Sequence, residues 1–251
     1  MTERKYIYFA SDAHLGLDVV ENPIDSERRI VRWLDSIKAK AKAIYLLGDM
    51  FDYWFEYRSV VPKGYVRFLG KLAELADDGV ELYIFTGNHD IWMFDYLQKT
   101  IGATIIRDSY ETVIYGKKFF MAHGDGLGDP SKSFKFLRCF FRNKTCQWLY
   151  KLIHPDLTVP FGFAWSRYNR KRKLGNKAEK YLGEKKEYLV QFAKEHEKEN
   201  SVDYYMFGHR HILLDLMISK SSRVMILGDW IWHFSYAVFD GENMTLEQFE
   251  I

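Results

Sequence analysis

Cysteine is scarce in this chain of 251 residues, which contains only Cys139 and Cys146. Two cysteines are too few for a disulfide framework, so we expect a reducing, cytoplasmic compartment. Long apolar runs are also lacking, because no stretch approaches the length that crosses a bilayer and the segment from Met1 to Lys5 has no core of a secretory signal. No internal repeat is evident. These absences exclude a disulfide scaffold, a membrane-spanning protein and a repeat array.

Hydrophobic residues make up 47% of the chain, and the length fits one large domain or a domain with an insertion. Strands are predicted at 6–10, 43–47, 82–85, 118–122, 204–207, 224–227, 236–239 and 244–249. Helices are predicted after a cap at Asp25 or Ser26, from Tyr65 to Leu75, and at 91–100 and 184–199. This alternation indicates an α/β architecture with helices covering a doubly wound sheet.

Side chains that bind metals follow five of the hydrophobic runs. Their segments are 12–14, 48–52, 87–90, 122–125 and 208–211, which contain Asp12, His14, Asp49, Asp52, Asn88, His89, Asp90, His123, Asp125, His209 and His211. Ligands bind at the carboxyl ends of strands in such sheets, so these side chains are expected to converge. Imidazole, carboxylate and carboxamide without thiolate favour Mn, Fe, Zn or Mg over copper(I) or iron–sulfur clusters.

This set of side chains is large enough to hold two divalent metals. Asp49 is suited to bridge them, because a carboxylate has two oxygens to share. A dinuclear site suits in-line attack of a metal-bound hydroxide on phosphorus. Each residue alone has an ordinary structural explanation, since Asp and Asn cap helices and Gly-Asp and Gly-Asn form turns. The five segments together favour the metal site.

The order D-x-H, G-D-x-x-D, G-N-H-D, H-G-D and G-H-x-H, spread over nearly the whole chain, resembles that of the calcineurin-like metallophosphoesterase superfamily. The resemblance implies a four-layer α/β/β/α sandwich of two mixed sheets in place of a simple doubly wound sheet. It implies that one metal is held by Asp12, His14, Asp49 and His211, and the other by Asp49, Asn88, His123 and His209.

The residues that follow Asn88 carry the catalytic prediction. In many members of the superfamily, the histidine at the place of His89 stabilises charge on the leaving-group oxygen or donates a proton to it. We therefore assign His89 and Asp90 as catalytic, and Asn88 as a metal ligand that also contacts the substrate. Asp52 and Asp125 are expected to orient ligands rather than to bind metal.

Between the last two metal-binding segments the strand pattern disappears. Residues 131–183 are predicted to form a helical insertion, or lid, on a core of residues 1–130 and 184–251. The part that ends at Lys173 contains eleven lysines and arginines against one acidic residue, a local charge of +10 in a chain of net charge +2. That asymmetry predicts an anionic partner for the insertion.

Arg167 and Arg170 lie in the most basic cluster of the insertion and are assigned to substrate phosphate. Basic and aromatic side chains together suit a substrate with an anionic head and an apolar tail, or the headgroup region of a membrane. They also suit stacked bases of a nucleic acid. The structural alternative is a helical hairpin whose aromatic side chains pack on the core and whose cations are solvated.

Finer features are similar to one branch of the superfamily, the UDP-2,3-diacylglucosamine hydrolases of lipid A synthesis. They are the segment 49–54, the basic helical insertion and the Leu-Gly-Asp-Trp segment at 227–230. The resemblance implies cleavage of the pyrophosphate of a UDP-linked acylated sugar to UMP and 2,3-diacylglucosamine 1-phosphate, usually with manganese, at the inner face of the inner membrane. Acyl chains would occupy a channel under the insertion, and no nucleic acid partner is expected. This chain has His89 where the best-known members have arginine.

Two other function classes stay open. One is a soluble metal-dependent phosphodiesterase or phosphatase acting on nucleotides or phosphoproteins, for which His89 is the common superfamily residue. The other is a non-catalytic scaffold, but such scaffolds tend to lose metal ligands, and here every predicted position is occupied. The oligomeric state is not predicted.

Overall fold

The structure is a computed structural model, and it describes residues 4–19, 21–129, 131–173 and 179–249. Within these residues the strands are β1 (Tyr6–Ala10), β2 (Ala41–Leu46), β3 (Glu81–Phe85), β4 (Thr104–Ile106), β5 (Tyr110–Ile114), β6 (Lys117–Ala122), β7 (Tyr204–Phe207), β8 (Leu213–Met217), β9 (Arg223–Leu227), β10 (Ser235–Phe239) and β11 (Met244–Gln248). The helices are α1 (Pro23–Ile37), α2 (Val66–Asp77), α3 (Tyr96–Ile101), α4 (Lys132–Arg142), α5 (Lys144–Lys151), α6 (Pro155–Lys173) and α7 (Tyr188–Glu197), with a short 3-10 helix at Glu184–Lys186.

The strands form two mixed sheets. The first has the order β11-β10-β1-β2-β3-β4, in which β1 to β4 run parallel and β10 and β11 form an antiparallel hairpin beside β1. The second has the order β5-β6-β7-β9-β8, with a parallel centre of β6, β7 and β9 and antiparallel strands at both edges.

Three apolar interfaces hold four layers together. Trp33 of α1 and Phe68 of α2 are fully buried against the outer face of the first sheet. Phe9 of β1 and Phe119 of β6 stack between the two sheets, with ring centroids 5.7 Å apart. Leu189 of α7 is fully buried on the outer face of the second sheet. The four-layer α/β/β/α sandwich implied by the family resemblance is therefore confirmed.

The carboxyl ends of the central strands of both sheets meet at one edge of the sandwich. The loop after β1 is joined to the loop after β9 by a hydrogen bond from Trp230 N to Asp12 O, 3.1 Å long. The same loop is joined to that after β7, because His209 N donates to Asp12 Oδ2 at 2.9 Å. All five metal-binding segments predicted from the sequence follow strands that end at this edge.

Several element boundaries differ from the sequence prediction. The helix cap expected at Asp25 or Ser26 was wrong, because Asn22 caps α1 by accepting a hydrogen bond from Ile24 N at 2.9 Å. The short helix expected at 91–100 begins only at Tyr96, and the helix expected from residue 184 begins at Tyr188 after one 3-10 turn. The strands β4, β5 and β8 were not predicted.

The predicted insertion, residues 131–183, forms the three helices α4, α5 and α6, while residues 179–183 have no regular secondary structure and residues 174–178 lie outside the described residues. Helices α4 to α6 dock on the core through aromatic side chains. Trp92 Nε1 donates to Phe141 O at 2.9 Å, and the ring of Tyr150 stacks on that of Trp92 at 5.2 Å. A Cβ added at Gly162 would lie 2.3 Å from the ring of Tyr53, so the backbone of α6 touches that ring directly.

Other aromatic side chains of the insertion face solvent. Ten large apolar residues on α4, α5, α6 and the turn between α5 and α6 are at least two-fifths exposed. They are Phe136, Phe140, Trp148, Leu149, Leu152, Ile153, Leu157, Phe161, Trp165 and Tyr168. The structural alternative of a hairpin packed on the core therefore holds for one face of these helices. It leaves the other face uncovered by the described residues.

Candidate metal centre

Strained backbone places several predicted metal ligands at the strand ends. Asp12, His14, Asp49, His209 and His211 all have φ between 44° and 65°, in the left-handed region that residues other than glycine rarely adopt. Such strain persists only where the surrounding structure over-determines it, and it concentrates at functional sites. A Cβ at Gly87 would lie 2.2 Å from Asp49 Oδ1, so glycine is required for the loop after β3 to approach the loop after β2.

The first group of ligand atoms gathers around Asp12. Asp12 Oδ1 lies 3.3 Å from His211 Nε2 and 3.8 Å from His14 Nε2. His14 Nε2 also lies 3.7 Å from Asp49 Oδ2. Asp12, His14 and His211 could hold one metal ion, because their ligand atoms all lie within 4.8 Å of one another.

The second group gathers around Asp49. Asp49 Oδ2 lies 3.3 Å from His123 Nε2, which is 3.4 Å from Asn88 Oδ1. His209 completes a group with Asp49 and His123 whose ligand atoms lie within 4.8 Å of one another. The structure thus brings all seven predicted ligands together, with Asp49 between the two groups as expected for a bridge.

Buried atoms without a hydrogen-bond partner show that these residues fit a cation. Asp12 Oδ1 and both ring nitrogens of His14 are buried and have no hydrogen-bond partner. Buried polar atoms are normally paired, since an unpaired one costs about 1–3 kcal/mol. A divalent cation would satisfy Asp12 Oδ1 and His14 Nε2, while His14 Nδ1 faces Asp52 on the other side of the ring. The donor set suits hard or borderline divalent metals.

Charge coupling in the cluster is strong. Burial raises the pKa of Asp12. For Asp49 burial acts in the same direction, but the nearby His123 and His89 outweigh it and hold the pKa of Asp49 well below its usual range. Burial and the nearby Arg170 lower the pKa of His14 well below its usual range. An ionised Asp49 and a neutral His14 are protonation states that bind a metal. For His123, burial is outweighed by the charge of Asp49, which raises the pKa of His123 well above its usual range, so a bound cation would have to displace that proton.

Hydrogen bonds behind the imidazoles fix which nitrogen faces the cluster. His123 Nδ1 donates to Leu47 O at 2.8 Å, and His211 Nδ1 donates to Asp229 Oδ2 at 3.2 Å. Both bonds leave Nε2 directed at the metal-binding group. The carboxylate of Asp229 also accepts hydrogen bonds from His233 and from three backbone N–H groups.

No site role was predicted from the sequence for Asp229, which belongs to the Leu-Gly-Asp-Trp segment at 227–230. The sequence does contain a signal for such a role, because a Gly-Asp pair follows β9 at residues 228–229 as another follows β2 at residues 48–49.

Asp90 does not have the surroundings expected of a catalytic residue. Its two oxygens accept four backbone N–H groups, from Gly87 and Asp49 on one oxygen and from Met50 and Phe51 on the other. Those bonds fill the acceptor positions of a carboxylate. Burial, with the charge of Asp49, raises the pKa of Asp90 to about 7. Its contacts are those of a group that pins the loops after β2 and β3 to each other.

His89 lies at the edge of the cluster. Its Nδ1 donates to the backbone carbonyl of Asp52 at 2.9 Å, and its ring meets the ring of His14 edge-on at 4.7 Å. Its backbone N donates to Asp49 Oδ1 at 2.8 Å. The ligand atoms of His89, His14 and Asp49 also lie within 4.8 Å of one another, so His89 is close enough to contact whatever the cluster binds.

The carboxylates expected to orient ligands differ from each other. Asp52 Oδ1 lies 3.3 Å from His14 Nδ1, as such a role requires. Asp125 Oδ2 instead accepts a hydrogen bond from Arg138 Nε of α4 at 2.7 Å, so it contacts the predicted insertion.

The two predicted phosphate-binding arginines also differ. The side chain of Arg170 is only 9% exposed, and its Nη2 lies 3.6 Å from Asp52 Oδ1, beside the cluster. The side chain of Arg167 is 46% exposed and pairs with Asp18 at 3.1 Å. The structure brings Arg170 to the centre and places Arg167 outside it.

Residues 5–213 match the sequence model of the family described as "Calcineurin-like phosphoesterase". The chain belongs to the calcineurin-like phosphoesterase family. It is 47% identical over 98% of its length to the UDP-2,3-diacylglucosamine hydrolase of Porphyromonas gingivalis, of which it covers 98%. It is 27% identical to the protein of the same name from Pseudomonas fluorescens, over 89% of this chain and 87% of that one.

Similarity to solved structures is more distant than similarity to these relatives. The phosphoesterase Yfce of E. coli is 15% identical and matches 97% of this chain and 92% of that one, with a TM-score of 0.47. The family and its enzymatic relatives confirm the prediction of a metal-dependent hydrolase over that of a non-catalytic scaffold. Among the described residues, no helix is long and apolar enough to cross a membrane.

Proposed function

We propose that this enzyme hydrolyses the pyrophosphate of UDP-2,3-diacylglucosamine, releasing UMP and 2,3-diacylglucosamine 1-phosphate. The observation that carries the proposal is the 47% identity over nearly the full length to a relative named for that substrate. Such a reaction needs residues for metal, for the leaving group, for an anionic head and for acyl chains. Each need has a counterpart among the described residues.

Two divalent ions, manganese by preference, are proposed for the cluster. One set of ligands is Asp12, His14, Asp49 and His211, and the other is Asp49, Asn88, His123 and His209. Ions bound there would polarise the phosphoryl group and lower the pKa of a water molecule. The donor set of four imidazoles, two carboxylates and one carboxamide, without thiolate, suits manganese, and iron, zinc or magnesium would fit the same donors.

His89 is proposed as the residue that acts on the leaving-group oxygen. Because its Nδ1–H is engaged by the carbonyl of Asp52, its Nε2 is the nitrogen free to turn to the substrate. A proton held on Nε2 can be shared with the departing oxygen of the lipid phosphate or of UMP. In place of the catalytic role predicted from the sequence, we propose a positioning role for Asp90, which holds the backbone on either side of Asp49 and His89.

The anionic head is proposed to lie between the metal centre and α6. In this proposal Arg170, which lies beside Asp52, binds the pyrophosphate, and Asn88 contacts it from the core side. Ser166 Oγ lies 3.5 Å from His89 Nδ1, so this face of α6 reaches the reacting group. Arg167 pairs with Asp18 away from the metal centre, so in this proposal it contacts the anionic head of the substrate only at the outer end of the site.

The insertion, residues 131–183, is proposed to cover the core of residues 1–130 and 184–251 as a lid that also holds the acyl chains. An open groove of about 460 Å³ lies on the surface of α6, lined by Pro160, Ala164, Arg167 and Tyr168 of that helix. Its lining is apolar with a single cation at its border. Each methylene of an acyl chain buried there contributes about 0.8 kcal/mol.

Contact with the inner face of the inner membrane, from the cytoplasmic side, completes the proposal. The exposed apolar side chains of α5 and α6 lie in the segment of local charge +10. That combination favours binding to an anionic lipid surface, where apolar side chains enter the interface and cations meet the headgroups.

The substrate assignment is tested by comparing UDP-2,3-diacylglucosamine with UDP-N-acetylglucosamine at equal concentration, with manganese present. Phosphorus NMR and mass spectrometry of the products should show UMP formed far faster from the acylated substrate, because only that substrate uses the groove on α6. Equal turnover of both would contradict the lipid substrate and would favour a soluble phosphodiesterase acting on nucleotides.

A further inference from the structure

The loop after β7 carries two proposed metal ligands in strained conformations. His209 and His211 have φ of 65° and 46°, and the residue between them is Arg210. A left-handed conformation costs roughly 1–2 kcal/mol for each residue other than glycine. Two such residues in the five-residue loop between β7 and β8 need an external restraint to keep both imidazoles directed at the cluster.

The side chain of Arg210 makes that restraint. Its Nε donates to both carboxylate oxygens of Glu187, at 3.0 and 3.3 Å, and its Nη1 bonds to Glu179. The guanidinium also lies over the ring of Tyr188, 5.7 Å from its centroid. Glu187 is only 1% exposed, so removing its cation would leave a buried carboxylate without its charge partner.

The partners of Arg210 belong to other parts of the chain. Glu187 immediately precedes α7, whose Leu189 and Val190 are fully buried on the second sheet. Glu179 lies in the segment that follows α6 and leads from the predicted insertion back to the core. One planar guanidinium, with donors on both edges, can bind the two carboxylates at once.

We propose that Arg210 is a positioning residue for the metal centre, and that the Glu187–Arg210–Glu179 bridge holds His209 and His211 in the conformation that binds metal. The inference rests on the proposed metal ligands and extends them to a residue that contacts no metal. Through Glu179, the same bridge ties the two-histidine loop to the segment that follows α6.

The chain offers a matched control for the test. Arg223 also forms a fork with a carboxylate, Asp215, and also lies over a tyrosine ring, that of Tyr204 at 6.0 Å. It lies on β9 at the opposite end of the strand from the metal centre. Arg210→Met and Arg223→Met therefore each remove an arginine–carboxylate pair beside a tyrosine ring. Asp215 is 33% exposed whereas Glu187 is buried, and only Arg210 is next to proposed ligands.

Manganese binding to metal-free protein should be measured by titration calorimetry, together with the absorption spectrum of bound cobalt(II) and the Tm of the metal-free protein. Arg210→Met is expected to raise the manganese dissociation constant by about 10–100-fold and to alter the cobalt(II) spectrum, as loss of a group that orients ligands does. Arg210→Lys should not restore binding, because an ammonium cannot hold both carboxylates in one plane. Arg223→Met should lower Tm without changing metal affinity.

Glu179→Ala provides a second variant if Arg210→Met does not fold, because the side chain of Glu179 is 34% exposed. It should raise the dissociation constant by at least about threefold. The proposal is overturned if Arg210→Met, or Glu179→Ala where Arg210→Met does not fold, keeps wild-type metal affinity and an unchanged cobalt(II) spectrum. Failure of wild-type protein to bind divalent metal would instead reject the metal ligands of the proposed function.

Discussion

At the scale of single residues, His89 is the only side chain proposed to act directly on the leaving-group oxygen. Replacing His89 by alanine should lower kcat by roughly 10²-fold or more on a substrate with a poor leaving group, since help to a leaving oxygen is worth about that much. Metal content, measured by elemental analysis, should stay near that of wild type.

His154 is a suitable control for that experiment, because its imidazole is 71% exposed on the insertion and its removal should leave kcat unchanged. If kcat of the His89 variant falls by less than about threefold, His89 has no part in the mechanism. Loss of bound metal together with activity would make it a ligand instead, which its distance to His14 and Asp49 allows.

The metal ligands were predictable from the sequence because each follows a strand and has a side chain of suitable chemistry. The direction in which a carboxylate turns was not predictable. Asp90 follows Asn88 and His89 as closely as a catalytic residue would, yet it turns inward to the amides of residues 49–51 and 87. The contact of Asp229 with His211 depends on the pairing of β9 with β7, which the sequence pattern does not specify.

At the scale of secondary-structure elements, the docking of α6 on the core can be tested at one position. Gly162→Ala adds a methyl group that would meet the ring of Tyr53, so it should push α6 outward and lower the free energy of unfolding by about 1–3 kcal/mol. Because α6 carries Arg170 to the metal centre, kcat/KM for the lipid substrate should fall as well.

Gly70→Ala is the matched control, because Gly70 is also helical and a Cβ there would meet nothing within 4 Å. That change should be neutral or stabilising by up to about 1 kcal/mol, as alanine favours a helix. Chemical denaturation would measure both variants. Equal stability of the two would mean that the contact between α6 and Tyr53 is not tight.

The elements that sequence analysis missed have a common position. The strands β4, β5 and β8 each lie at an edge of a sheet, where one side is unpaired and burial is incomplete. These three edge strands therefore lack the continuous apolar run that marked β1, β2, β6 and β7 as buried strands. The helical periodicity of α1 and α2 was clear because one face of each packs on a sheet, whereas the cap at Asn22 depends on local hydrogen bonding.

At the scale of the whole molecule, the charge asymmetry and the exposed apolar face of the insertion predict binding to lipid. Vesicles containing phosphatidylglycerol should bind the protein in a flotation assay, more weakly at high salt because cations contribute to the attraction. Trp148→Ser with Leu152→Ser should weaken binding, since both side chains are more than half exposed on this face.

Val113→Ser with Met217→Ser is the control for that assay. These two side chains are as exposed as those on the insertion, but they lie on the edge strands β5 and β8 of the second sheet. Their removal should not change vesicle binding. Equal weakening by both pairs, or no binding of the wild type, would contradict membrane contact through the insertion.

The hydrogen bond from His209 N to Asp12 joins residues 197 apart in the chain, and β1 pairs with β10 from near the other end. During synthesis, the strands β1, β2 and β3 leave the ribosome long before the partners that complete the metal centre and cover the open side of β1. Such distant pairings slow folding and leave strand edges open to wrong partners. We therefore expect the nascent chain to need protection of the open edge of β1 until β10 emerges, and the set of proposed metal ligands is incomplete until His211 has left the ribosome.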